Sequence, residues 1–243
     1  MSNPVFKREE NLLQEQVIQA DQIMTVNGTI NATASFGLIM VLAAAYTWTR
    51  FIAGHTDIAT MLTYGGLFVG FILSMIIIFA RQFKLIPIYA VAEGLFLGGI
   101  SAMFESSYPG VVFQAVVGTF AAFFTMLFTY RAGLIKCTEK FRSTIIVSTI
   151  SIAAVYLLNF IGGFFGYAVP ALNSNSNLGI LISAVIVIVA ALNLILDFDF
   201  IEKGAQRMLP KEYEWYGAFG LLVTIVWLYI EILKLLAKLR SRN

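Results

Sequence analysis

Apolar residues along this 243-residue chain do not alternate with polar ones; they run together in long blocks separated by short polar stretches. A helix that crosses a bilayer needs about 20 mostly apolar residues. Seven blocks meet that length: 30–51, 59–80, 85–104, 111–130, 143–168, 178–198 and 215–237. The segments between them are short, so consecutive helices are expected to be antiparallel neighbours. The pattern predicts an all-α membrane protein in which residues 29–243 form one seven-helix transmembrane domain. Residues 1–28 are different. Leu12, Leu13, Val17, Ile18, Ile23 and Met24 recur there at helical spacing among charged residues. That reads as an amphipathic helix on the membrane surface or on the protein's own cytosolic face, and it lacks the apolar core of a secretory signal.

Composition sharpens the class. Hydrophobic residues make up 59% of the chain and charged residues 12%, against about 25% charge in a soluble domain. The net charge of +2 carries no sign of nucleic-acid binding. The placement of the charges says more. Arg81 and Lys84, then Arg131, Lys136, Lys140 and Arg142, then Lys203, Arg207 and Lys211 all fall in loops on the side of the N-terminus. By the positive-inside rule that side is cytoplasmic. Lys238, Arg240 and Arg242 do not fit: an odd number of spans puts this basic tail outside, unless the last run re-enters. The absence of a targeting signal favours a bacterial plasma membrane.

Three pairs of glycines, Gly66/Gly70, Gly94/Gly98 and Gly162/Gly166, have the four-residue spacing that lets helix backbones approach closely. Trp48, Tyr108, Tyr167, Trp215 and Tyr216 cluster near span ends and read as interfacial belts. Cys137, the single cysteine, is expected to be a solvent-facing thiol in a basic loop. His55 has only Asp57 near it, too little for a metal site.

The candidate chemistry lies in carboxylates at bilayer depth, where an uncompensated charge costs roughly 2.5 kcal/mol or more. Glu93 falls about 12 Å into the third run at 1.5 Å per residue. It is either a protonated acid bonded to a backbone carbonyl or a functional group. Asp197 and Asp199 are about 200° apart around a helix, so they cannot share one face. Asp199, four residues before Lys203, reads as a solvated charge at a helix end. Asp197, four residues after Asn193, continues a polar stripe and is the inward group. Glu231 is either in a salt bridge with Lys234 or a gate acid paired with Arg50. Arg81 is either a positive-inside anchor or the partner that holds Asp197 ionised.

The segments 196–203, Leu-Asp-Phe-Asp-Phe-Ile-Glu-Lys, and 229–236, Tyr-Ile-Glu-Ile-Leu-Lys-Leu-Leu, resemble the last two helices of the Bax inhibitor family. The third span, from Ala92-Glu93-Gly94 to Ser101, and the fourth, from Gln114 to Phe120, add to the likeness. Together they cover about residues 30–240, and they are most similar to the bacterial Bax-inhibitor-1-like branch, of the YccA type. The resemblance implies a C-terminal helix surrounded by the other six. It also implies a pH-sensitive calcium leak in some members, and modulation of cell death or of a membrane protease in others. The family's pH sensor is a pair of aspartates on the last two helices with an arginine at the end of the second. Asp197 matches the first aspartate and Arg81 the arginine, but the second position reads Thr224. Glu93 is the group that could supply the missing carboxylate.

Two functions follow. In the first, Asp197, Glu93, Glu231 and Asn193 line a cation path at successive depths, calcium is held only weakly, and protonation gates the path. In the second, the acids are structural and the protein regulates a membrane protease or stress response by binding. An enzyme is not expected: there is no Ser/His/Asp set and no His-x-x-x-His, and no second aspartate lies in a span to complete an aspartyl protease. No cofactor is expected, and no oligomeric state can be read from the pattern.

Overall fold

The computed structural model describes residues 22–166, 172 and 174–242. Among these, seven long helices carry the chain: α1 Val26–Ile52, α2 Thr56–Ala80, α3 Ile86–Ser107, α4 Val111–Arg131, α5 Glu139–Phe164, α6 Asn177–Gln206 and α7 Tyr213–Arg240. Each is long and apolar enough to cross a membrane. A single 3-10 turn, Phe83–Leu85, leads into α3. The fold is therefore the expected all-α, seven-span bundle. The principal boundary shift is at α6, which continues past the apolar run through its charged end to Gln206.

Helix ends are set by local chemistry. Thr25, Thr138 and Ser176 cap α1, α5 and α6, each hydroxyl accepting a backbone N–H from the first turn. Such caps satisfy amides that have no partner within the helix. The start of α4 is capped from a distance: the Glu105 carboxylate, near the end of α3, accepts from the backbone N–H of Gly110 and Val112. Gly110 itself has φ +83°, which favours glycine at this tight turn.

Small residues decide which helices touch. α3 is pressed between α1 and α2. A Cβ on Gly94 or Gly98 would run into the carbonyls of Met40 and Ala44 on α1, and one on Gly66 would meet the Ala92 carbonyl. Two of the three glycine pairs thus lie at backbone contacts. The third does not: Gly166 lies beyond the end of α5 with open space around it. α7 is the central helix, packed against α1, α3, α4 and α6. Leu228 and Leu233 on it are completely buried. α5 is the peripheral helix: its chief neighbour is α6 and Ile145 is its only buried residue. The half-buried ring of Tyr216 turns inward and packs against Phe83, Phe200 and Phe219. Tyr167 lies outside the described residues.

The basic tail is accounted for. α7 runs straight to the face opposite its start, where Arg240 donates to the Pro109 carbonyl and Arg242 to Asn177. Lys238 gives its three protons to the carbonyls of Leu172 and Gly179 and to the Ser183 hydroxyl. These cations meet acceptors near the starts of α4 and α6, and α7 is one unbroken helix with no turn back. At the other end, most of the 1–28 segment lies outside the described residues. Residues 22–25 form an extended strap and not the expected helix, with Met24 N–H bonded to Leu209 O, Lys211 N–H to Gln22 O and Met24 buried, and residues 26–28 already belong to α1.

Replacing Gly98 by Val is expected to lower the melting temperature in detergent by several degrees, in line with an overpacking cost of about 1–3 kcal/mol. Gly65→Val, where nothing stands within 4 Å of the new Cβ, is expected to leave it unchanged. A thermal shift series on the two variants checks this.

Candidate functional site

A cavity of about 720 Å³ opens among α2, α3, α5, α6 and α7. Tyr89, Glu93, Thr149, Asn193, Asp197 and Thr224 are the polar residues of its wall that bear on its chemistry. Four of the six residues singled out in the sequence therefore meet here: Glu93, Asn193, Asp197 and Thr224. Arg81 and Glu231 lie elsewhere.

Each side chain arrives for a local reason. Glu93 follows Tyr89 by one helical turn, and the phenol hydroxyl lies beside the carboxyl. Gly70 on α2 makes the room: a Cβ there would stand 2.9 Å from Glu93 Oε2. Asn193 is anchored across the cavity wall. Its amide donates to Thr149 Oγ1 at 2.9 Å and to its own helix at Val189 O at 2.8 Å. One turn later Asp197 reaches the same space. Thr224 on α7 faces its carboxyl, at the position where the resemblance places a second aspartate. Gly220, one turn before Thr224, keeps α7 close beside Asp197 Oδ1.

Asp197 stands apart in one respect. Its Oδ2 is shielded from solvent and has no hydrogen-bond partner. The other acids near bilayer depth are answered. Asp199, 4% exposed, is held by Arg142 at 2.6 Å and Lys203 at 2.9 Å. This corrects the expectation of a solvated charge. The residue does end an apolar run, but α5 delivers Arg142 from 57 positions away and covers it. Glu231, 1% exposed, accepts from Tyr156 at 2.8 Å and Lys234 at 3.1 Å. Arg50 is not its partner; that guanidinium lies over the Tyr46 ring. Glu214, at the start of α7, accepts from the Thr25 backbone and hydroxyl at 2.9 and 2.8 Å, and Gly28 leaves it space.

Arg81 does not reach Asp197. It ends α2 in a left-handed conformation, exposed, with its guanidinium donating to the Tyr213 hydroxyl at 3.1 Å. No ion pair involves Asp197 among the described residues. Cys137 is half-buried, not fully solvent-facing. Burial pushes its thiol above the usual range, while the neighbouring Arg142 pulls the other way. Sequence reasoning missed Tyr89, Arg142 and Tyr156 as partners of these acids, Thr149 as the partner of Asn193, and Glu214 as a further buried acid. Only the first carries a local signal, its spacing of four from Glu93.

The arrangement presents two carboxyl groups, an amide and three hydroxyls to one space within the membrane span. Oxygen groups of this kind suit protons, water and hard cations. Among the described residues, no three His, Cys, Asp or Glu side chains form a cluster that would hold a metal ion tightly. A sequence profile described as Bax inhibitor 1 like matches residues 3–241. No curated protein matches the chain.

Asp199→Asn removes the charge that Arg142 and Lys203 share. Both bases are more than one-third exposed, so solvent screens part of the loss. A destabilisation of about 1–2 kcal/mol is expected, seen as a lower melting temperature. Glu202→Gln, at an exposed carboxylate that the Tyr130 hydroxyl meets, is expected to shift it far less.

Proposed function

Because the chain belongs to the Bax inhibitor 1 like family, we propose that this multi-pass membrane protein is a pH-sensitive leak for cations, calcium among them. The single observation that carries the reading is the unpaired Asp197 oxygen on the wall of a cavity that also holds Glu93, Asn193 and Thr224. A carboxyl oxygen shielded from solvent without a partner is a cost to the fold. A proton, a water molecule or a passing cation relieves that cost, and all three compete for the same oxygens.

Glu93 takes the place of the second aspartate in this reading. It stands on α3 and not on α7, while Thr224 offers Asp197 a hydroxyl where a carboxylate is implied. Both carboxyl groups line one cavity, so the charge facing a cation depends on the protons each carries. Calcium bound by so few acids is held weakly, which suits permeation and not storage. No cofactor and no enzymatic step enters this account. The positive-inside rule assigns the face bearing Arg81, Lys136 and Arg207 to the cytoplasm, in a bacterial plasma membrane.

Calcium flux from purified protein in liposomes, measured from about pH 6 to pH 8, tests the proposal. Wild-type flux is expected to vary with pH, Asp197→Asn to lose that variation, and Glu93→Gln to alter it. An unchanged pH response in Glu93→Gln removes Glu93 from the sensor. Absence of flux from folded wild type overturns the leak, and favours a regulatory protein that binds a membrane protease or another membrane complex.

A further inference from the structure

α5 is built unlike the other helices. In lipid an apolar helix face gains little from meeting another apolar face, so polar contacts weigh more in holding it. On α5, Arg142, Thr149 and Tyr156 recur every seven residues. Seven residues are two turns, so the three share one face. Each reaches across to a polar group on another helix. Arg142 meets Asp199, Thr149 meets Asn193 and Tyr156 meets Glu231. Thr144, Ser148 and Ser151 are different: their hydroxyls donate to carbonyls of their own helix. The seam between α5 and the α6–α7 pair is thus a ladder of polar rungs about 10 Å apart.

The spaces beside this ladder follow one another. The 720 Å³ cavity ends against the middle rung, at Thr149 and Asn193. An apolar groove of about 340 Å³, open on one side, lies beyond it between α5 and α6, bounded by Ser151, Ile152, Tyr156 and Leu172. Tyr156 of the third rung lines that groove, and Glu231 stands behind it. There both Glu231 oxygens are occupied, Oε2 by the Tyr156 hydroxyl and Oε1 by Lys234. The Lys234 ammonium also lies 4.8 Å from the centre of the Tyr156 ring. While these contacts hold, each Glu231 oxygen already carries one donor, and the buried carboxylate is a poorer ligand for a cation.

We propose that the α5 seam is the outer half of the cation route and that the Tyr156–Glu231–Lys234 rung is its constriction. The proposal rests on the leak reading and extends it from the cavity to the opposite face. A divalent cation leaves the cavity past Thr149 and Asn193 and meets Glu231 only when Tyr156 lets go. The apolar walls between the rungs resist wetting until α5 moves, as in other hydrophobic constrictions.

Two variants with opposite expected effects test this, in liposomes loaded with a calcium-sensitive dye. Tyr156→Phe frees one Glu231 oxygen and is expected to raise calcium flux several-fold. Glu231→Gln removes the charged ligand and is expected to lower it. Leu158→Ala, at a lipid-facing position 65% exposed, is expected to leave flux unchanged. Hydrogen exchange gives a readout independent of flux: Tyr156→Phe is expected to speed amide exchange across α5 and leave α3 and α4 as they were. Flux and exchange in Tyr156→Phe equal to those of a conducting wild type overturn the seam and leave the cavity reading standing. A folded wild type that does not conduct overturns both.

Discussion

A carboxylate inside a membrane protein must find a proton, a counter-charge or hydrogen-bond donors, and the helices of this bundle are arranged around that need. Asp199 has Arg142 and Lys203, Glu231 has Tyr156 and Lys234, and Glu214 has the backbone and hydroxyl of Thr25. Each of these sets joins segments far apart in sequence, so the acids act as fasteners between helices. Asp197 has no such set: across the bundle its carboxyl meets the Thr224 hydroxyl of α7. One of its oxygens is buried without a partner, against a cavity. An oxygen left without a partner, where three other acids have both ends of their carboxylates or their helix ends accounted for, is what sets Asp197 apart.

Glycine makes that place. Gly94 and Gly98 let α3 lie against the backbone of α1, and Gly66 lets it lie against α2. Once α3 is held there, Gly70 opens the pocket that receives the Glu93 carboxyl. α7 supplies the third wall, with Gly220 and Thr224 turned toward Asp197. The tight part of the molecule is thus α1, α3 and α7, while α5 closes the site from the side through polar rungs. A rigid core with one loosely packed wall is a geometry that can alter access to a cavity without unfolding.

Much of this was legible in the chain. Long apolar blocks fix seven helices, and the four-residue interval between Asn193 and Asp197 fixes which aspartate faces the cavity. Glycine spacing located two of the close contacts. What was not legible depended on residues distant in sequence. Asp199 looks solvated by its neighbours, and only the arrival of Arg142 from α5 buries it. Glu231 shows Lys234 locally, yet Tyr156 comes from 75 positions away. Arg81 stands level with Asp197 along the membrane normal by residue counting, but its left-handed cap turns it toward Tyr213. Depth along a helix is readable from sequence; direction around the bundle depends on partners that hydropathy does not identify.

The central claim is that Asp197 is kept for its chemistry more than for holding the bundle together. Thermal unfolding of Asp197→Asn in detergent, beside Glu231→Gln, tests it most directly. The account predicts that Asp197→Asn melts at or above the wild-type temperature, because an uncompensated buried acid has been made neutral, while Glu231→Gln melts lower. A fall in Asp197→Asn as large as that in Glu231→Gln would contradict it and make Asp197 one more fastener of the fold.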